Sequence, residues 1–424
     1  MAAAAQSSIP GPDDITRVEL ENGIVVLARA NPHSLSVTLR GYLRVGGLLV
    51  PDDKLGLIDF VTSALMRGTQ QRDFQTIYDE LESIGASLNF SGGTHTSGFG
   101  GRSLAEDLDT LLELTSQSLT QPSFPEEQVE KLRAQLLTGL ALRAQDTREM
   151  ASLTFDELVY RDHPYSRLDD GTTESVAALT VEDLRDFHAQ NFGPRGMVVS
   201  VVGGIDVDEA LGLVRKHLGG WSNLNQPEVP ELPEWQPLDE QVRNRVKIAG
   251  KSQSDVVVGT AGPSRKAEDF MAAAVGNNIF GRFGMMGRIG YSVREKAGLA
   301  YYAYSSLGGG LGPSPWAVAA GVDPKNEKKA VKLILEEMKR FSSELVDEEE
   351  LSDSQSNYIG SMPLSLESNA GVAQALINIE RHQLGLDYYR RYPEMVGAVT
   401  REQIRDAAAR YLDPERVAIA IAGP

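Results

Sequence analysis

Cysteine is absent from the 424 residues. Without thiols there is no disulfide, no thiolate zinc site, no iron–sulfur cluster and no cysteine nucleophile. Compartment stays open, because a thiol-free chain is stable in either redox regime. Histidine is scarce. The six are His33, His95, His163, His188, His217 and His382, and the closest two lie 25 residues apart. A helix-borne zinc site needs imidazoles at i and i+4, projecting from one face. No such pair occurs, so no metal is expected in this chain. His163, in Asp162-His163-Pro164-Tyr165, reads best as a loop packing residue. Basic residues are outnumbered, 41 to 59, which leaves a formal charge of −18. Nucleic-acid binders usually carry a basic footprint, so that class is disfavoured, as are anionic membrane surfaces. No apolar run reaches 18 residues, so no membrane-spanning helix is expected. The leader MAAAAQSSIPGP lacks a basic n-region and an apolar core. It does not read as a signal peptide, and both a cytoplasmic and a periplasmic location stay open.

What is present is an internal repeat. Thr180–Gly204 and Thr400–Pro424 align without a gap at an offset of 220, with seven of 25 positions identical. Each opens with a capping-box pattern, Thr180 with Asp183 and Thr400 with Gln403. Each continues as an amphipathic helix, stops near Pro194 or Pro414, and enters an apolar strand. Duplication explains a gapless match better than chance does. Between the copies, residues 223–237 carry Pro227, Pro230, Pro233 and Pro237 among acidic residues, the composition of a semi-rigid strap. The chain therefore divides into homologous domains at 13–222 and 238–424.

Each half mixes strands and helices. Asn22-Gly23 is a hairpin signal, with strands expected at Gly23–Ala30 and Ser34–Gly46. Helical spacing marks Asp73–Ile84, Leu104–Leu119 and one long stretch, Glu126–Tyr160. In the second half, strands are expected at Ser254–Thr260 and Trp316–Val322, and helices at Asn326–Ser342 and Ser368–Leu384. Grouped strands with long helices argue an α+β fold, not a doubly wound parallel sheet.

Few chemical motifs survive inspection. No G-x-S-x-G elbow occurs. Gly250-Lys251-Ser252 lacks the upstream glycine of a P-loop, since Arg245 stands there. Gly281, Gly284, Gly287 and Gly290 recur every third residue in FGRFGMMGRIG. They suit a nest of amides for an anion, or, as the favoured use, a loop that lets another backbone approach closely.

The stretch YSVREKAGLAYYAYS, Tyr291–Ser305, together with that glycine-rich loop, resembles the second domain of the M16 (pitrilysin-like, inverzincin) peptidases. In that family a V-R-E-K-x-G-L-A-Y run carries an Arg/Tyr pair seven residues apart, and Arg294 and Tyr301 fall on those positions. The resemblance extends over nearly the whole chain. It implies two homologous α+β domains, each a mostly antiparallel sheet with helices packed on one side. It also implies an H-x-x-E-H motif in the first domain. Register set by Arg67-Gly68-Thr69 puts Asp59 and Ser63 on the zinc-ligand positions and Thr62 on the general-base position. The third ligand, a glutamate, should lie near Gly139, yet no carboxylate occurs from Ala134 to Gln145. All four catalytic positions are lost together.

The resemblance thus implies the subunit of a two-subunit peptidase that keeps Arg294 and Tyr301 and lacks zinc. A homologous H-x-x-E-H partner would hold the zinc in a heterodimer. This chain would grip an unfolded or extended peptide, with Arg294 and Tyr301 as catalytic residues and Gly281, Gly284 and Gly287 as substrate-binding positions. The acidic net charge favours basic peptides. The alternative is a non-enzymatic scaffold or peptide-binding protein, similar to the core subunits of respiratory complexes.

Overall fold

Asn22-Gly23 makes the first turn. Gly23 has φ +84°, a left-handed conformation that glycine adopts at least cost. Its N–H donates to Leu20 O at 2.9 Å. The flanking strands, β1 (Thr16–Glu19) and β2 (Val25–Ala30), pair antiparallel. The computed structural model describes residues 9–424, so most of the leader lies outside the described residues. The chain forms two compact units. Unit 1 comprises residues 9–140, 167–231 and 363–390; unit 2 comprises 141–166, 232–362 and 391–424.

Unit 1 adds β3 (Ser36–Leu43), β4 (Ser87–Ser91), β5 (Ser97–Leu104) and β6 (Val198–Gly203). The six strands order as β1-β2-β6-β3-β5-β4. Only β2 and β6 run parallel; the other neighbours are antiparallel. Alternation sets the faces. In β3, Val37, Leu39 and Leu43 join a continuous apolar core, with Phe60, Leu111, Leu184 and Val214 from the covering helices.

Unit 2 repeats this plan. Its strands are β7 (Val242–Lys247), β8 (Ser254–Ala261), β9 (Ala300–Leu307), β10 (Pro315–Val322) and β11 (Ala418–Gly423). They order as β7-β11-β8-β10-β9, and again only the β7–β11 pair is parallel. Strand for strand this matches β2-β6-β3-β5-β4, so the duplication seen in sequence is a duplication of topology. The α+β class and the mostly antiparallel sheets hold. Both capping boxes form: Thr180 accepts from the Asp183 N–H and Thr400 from the Gln403 N–H.

Neither unit is contiguous in sequence. The stretch expected as one helix, Glu126–Tyr160, is two: Glu126–Arg143 and Thr147–Tyr160. Asp146 breaks it, because its carboxylate caps the Arg148 and Glu149 N–H groups in an extended backbone conformation. The second helix covers the outer face of the unit 2 sheet. There Ala418, Ala420, Ala422, Val257 and Ala317 face Ala151, Phe155 and Val159. Small residues let the helix sit close. Reciprocally, the Asn369–His382 helix from late in the chain belongs to unit 1 and packs on β6 and β3. Its docking is more polar. Asn369 donates to Ser34 Oγ at 2.9 Å and Ser36 O at 3.0 Å, Arg40 donates to Gln374 Oε1 at 3.0 Å, and Arg17 grips Glu380.

The strap 223–237 has no regular structure. Gln226, buried in unit 1, is pinned by the Arg195 N–H at 3.0 Å. In unit 2, Trp235 Nε1 donates to Val159 O at 3.0 Å.

Candidate functional site

In unit 1 the H-x-x-E-H counterpart lies on the Leu57–Ala64 helix. Spacing of three and four residues puts Asp59, Thr62 and Ser63 on neighbouring turns of this helix. Thr62 is fully buried, and its hydroxyl donates to Ile58 O at 2.9 Å and Asp59 O at 3.1 Å. A hydroxyl held by its own helix is unsuited to activating water. Burial, then the neighbouring Asp170 and Asp169, push the Asp59 carboxyl above its ordinary range. Asp169 is itself raised, first by burial, while Thr94 donates to it at 2.7 Å. Gly139 lies exposed on the Glu126–Arg143 helix, with open space where a Cβ would point. Among the described residues no group of three or more His, Cys, Asp or Glu comes together to hold a metal. A carboxyl, a serine and a glycine do not make a zinc donor set.

His163 is a packing residue. Its Nε2 lies 3.2 Å from Pro233 O, its Nδ1 accepts the Tyr165 N–H at 3.2 Å, and the ring meets Tyr165 edge-on at 4.7 Å.

In unit 2 the Arg/Tyr pair brackets the entry to β9. Arg294 sits in a widened helical turn, Gly290–Lys296, whose Arg294 carbonyl accepts the Gly298 N–H at 3.0 Å. Gly298 has φ +62°, and from there the chain turns into the strand. Arg294 lies 3.9 Å from the adjacent Glu295, and its side chain is 39% exposed. Tyr301 is 80% exposed. It contributes nothing to the core. Strand β9 is an edge of its sheet.

The glycine-rich segment packs backbone against backbone. A Cβ on Gly281 would strike Ser305 N at 2.6 Å, one on Gly287 would meet Gly281 Cα at 2.8 Å, and one on Gly290 would hit Gly284 O at 2.0 Å. Close approach is therefore a use of these glycines that the geometry supports. Arg288 anchors the segment. Its guanidinium donates to both Glu350 oxygens at 2.8 and 2.6 Å. Burial alone would raise the Glu350 carboxyl, yet Arg288 and the Asp347 N–H hold it below the ordinary range. Phe283, Met285, Met286 and Tyr291 stay exposed around the loop.

One network escapes any linear motif. Asp255 of β8, 3% exposed, accepts from the Tyr302 hydroxyl, and from Thr147 Oγ1 at 2.5 Å. Arg148 lies over the Tyr302 ring at 4.3 Å and donates to its hydroxyl at 3.3 Å. Burial, followed by the Asp255 carboxylate, raises the Tyr302 phenol above its ordinary range. The network fixes Tyr302, and alternation along the strand then turns its neighbour Tyr301 to the opposite side. Its sequence signal is faint: a buried Asp in an otherwise apolar strand, SDVVVGT.

A sequence profile described as insulinase, peptidase family M16, matches residues 25–167, and one described as peptidase M16 inactive domain matches residues 178–358. An uncharacterized zinc protease of Mycobacterium leprae is 26% identical over 415 residues, spanning 97% of this chain and 92% of that one. The beta subunit of the mitochondrial-processing peptidase of Saccharomyces cerevisiae is 23% identical over 393 residues, 88% of this chain and 83% of that one. Among solved structures, a peptidase M16 inactive domain from Pseudomonas fluorescens superposes with a TM-score of 0.90 at 22% identity, covering 97% of this chain and 98% of that one.

Proposed function

The chain belongs to the M16 peptidase family, and from that premise we propose that it is the zinc-free subunit of a two-subunit peptidase. The observation that carries this reading is Tyr301. A phenol that is 80% exposed at the mouth of an edge strand, seven residues after Arg294, has no structural duty. Tyr301 shares this exposure with Phe283, Met285, Met286 and Tyr291 of the adjoining glycine-rich segment, and exposed apolar side chains grouped together mark interaction sites. The residues at the zinc positions do not fit the metal, so the partner subunit supplies zinc, general base and water. This chain's part is to bind and orient. The Tyr301 hydroxyl and the Arg294 guanidinium donate to the scissile carbonyl as its oxygen becomes negative. Donors aimed at a developing oxyanion lower the barrier more than they aid ground-state binding. The edge of β9 offers open backbone groups to an extended peptide.

The test mixes this chain with an H-x-x-E-H homologue and follows cleavage of an unfolded peptide, with and without chelator. Activity is expected only in the mixture, and chelator should remove it. Tyr301→Phe and Arg294→Ala should each lower kcat by about a hundredfold while the complex still forms. Full turnover in both variants would remove these residues from the reaction. A stable complex with no gain in activity would make the chain a scaffold.

A further inference from the structure

Unit 1 holds a cavity of about 440 Å³ between its sheet and the Asn369–His382 helix. Register makes it. Across three strands, Thr38, Arg102 and Ser87 form one row, Arg40, Gly100 and Asn89 the next, and Tyr42, Gly98 and Ser91 the third. On the middle strand, Gly98 and Gly100 carry no side chain. A Cβ there would point towards Ser91 Oγ (3.3 Å) and Asn89 Oδ1 (3.4 Å). Missing side chains thus leave a trough, walled by β3 and the helix on one side and open towards β4.

Its charge runs against the molecule. The chain carries −18, yet among the described residues the cavity is lined by Arg40, Arg102 and Arg381 and by no carboxylate. Glu380, next to Arg381, is already held by Arg17 at 2.9 and 2.7 Å. Among the described residues, Arg40 and Arg381 each bury an Nε–H without a hydrogen-bond partner. Arg381 otherwise donates to Thr96 Oγ1 at 3.0 Å and lies over the Tyr42 ring at 4.6 Å. Burial lowers its pKa from the ordinary value. Buried donors without acceptors are costly, and guanidinium groups pair best with carboxylates, two bonds at a time. Beside the trough, β4 is the edge of the sheet. A peptide paired with that edge would send every second side chain to the trough's face.

We propose that this cavity takes the carboxylate of an acidic side chain on an extended peptide running along β4. This rests on the reading of the chain as a peptide-binding subunit, and it names a substrate preference opposite to the one net charge suggests. Net charge acts at long range and is screened beyond about 8 Å at physiological salt; the arginines act at contact.

The full chain alone suffices for the test, since binding needs neither partner nor zinc. The probe is an eight-residue peptide, acetylated and amidated, with two Glu at alternating positions, labelled for fluorescence anisotropy. Its twin carries Gln. The Glu peptide should bind about tenfold more tightly. Arg102→Gln, at an exposed position, should remove most of that preference, and Arg381→Gln likewise if its melting curve stays cooperative. Gly100→Val fills the trough without changing charge and should abolish binding. Lys131→Gln, on an exposed helix elsewhere in unit 1, should change nothing. Equal affinity for both peptides, or tight binding retained in Arg102→Gln and Gly100→Val, overturns the proposal. Displacement by succinate or inorganic phosphate at the peptide's own concentration would make it a small-anion site and overturn the peptide part. Cleavage by the mixed complex with no Glu preference would sink this inference alone; Glu-selective binding without cleavage would sink only the catalytic reading.

Discussion

Asp156 lies on the Thr147–Tyr160 helix with no hydrogen-bond partner among the described residues, and burial pushes its carboxyl up to about 7. The folded-state value exceeds the ordinary 3.8. Its contribution to stability is therefore complete below pH 4 and is lost as pH rises through 7. A displacement of that size corresponds to at most about 4 kcal/mol, and partial hydration reduces it to about 2 kcal/mol. Asp156→Asn should accordingly be more stable than the parent by about 2 kcal/mol at pH 8, and the two should converge near pH 4. Urea unfolding at both values checks this; parallel pH profiles would show that the carboxyl stays ionised in the fold. Tyr301 and Tyr302 make a second contrast at this scale. Neighbours in sequence, one is exposed and the other is locked to Asp255. The motif marks Tyr301, but only the sheet's register shows that it, and not Tyr302, is left to meet a ligand.

Among the elements, the two repeated helices invite a paired experiment. Thr180→Ala and Thr400→Ala each remove one cap from equivalent positions, and each should cost about 1 kcal/mol, measured by thermal unfolding. A cost in one copy only would mean the caps have diverged in importance. These caps and the Asn22-Gly23 turn are legible in the sequence because each depends on residues a few positions apart. The break at Asp146 was hidden. Helical periodicity continues past it, and an aspartate within a charged helical run reads equally well as a solvated side chain. The arginine cavity was hidden for another reason. A glycine in a strand reads only as weakness; its meaning comes from Arg40 and Asn89 lying opposite Gly100, which no spacing along one strand reveals. At the Arg/Tyr pair, by contrast, a contiguous run carried both positions.

At the scale of the molecule, neither half of the sequence contains a finished unit. Residues 1–231 lack the Asn369–His382 helix, in which Val372, Leu376 and Ile379 are buried. Burying such side chains is worth about 2 kcal/mol each, so the loss of roughly 6 kcal/mol rivals the net stability of a typical domain. Expressed alone, 1–231 should unfold without a sharp transition and bind a hydrophobic dye. Adding a peptide spanning 363–390 should restore cooperativity. A sharp transition without the peptide would show that the sheet tolerates a bare outer face.

The exchange of helices also bears on synthesis. A ribosome releases the strands of unit 1 long before it reaches residue 363. Elongation from 231 to 390 takes roughly ten to thirty seconds at ordinary rates of synthesis. For that interval the nascent sheet waits with one side uncovered, and an apolar face left open that long is the kind of surface that aggregates or that chaperones cover.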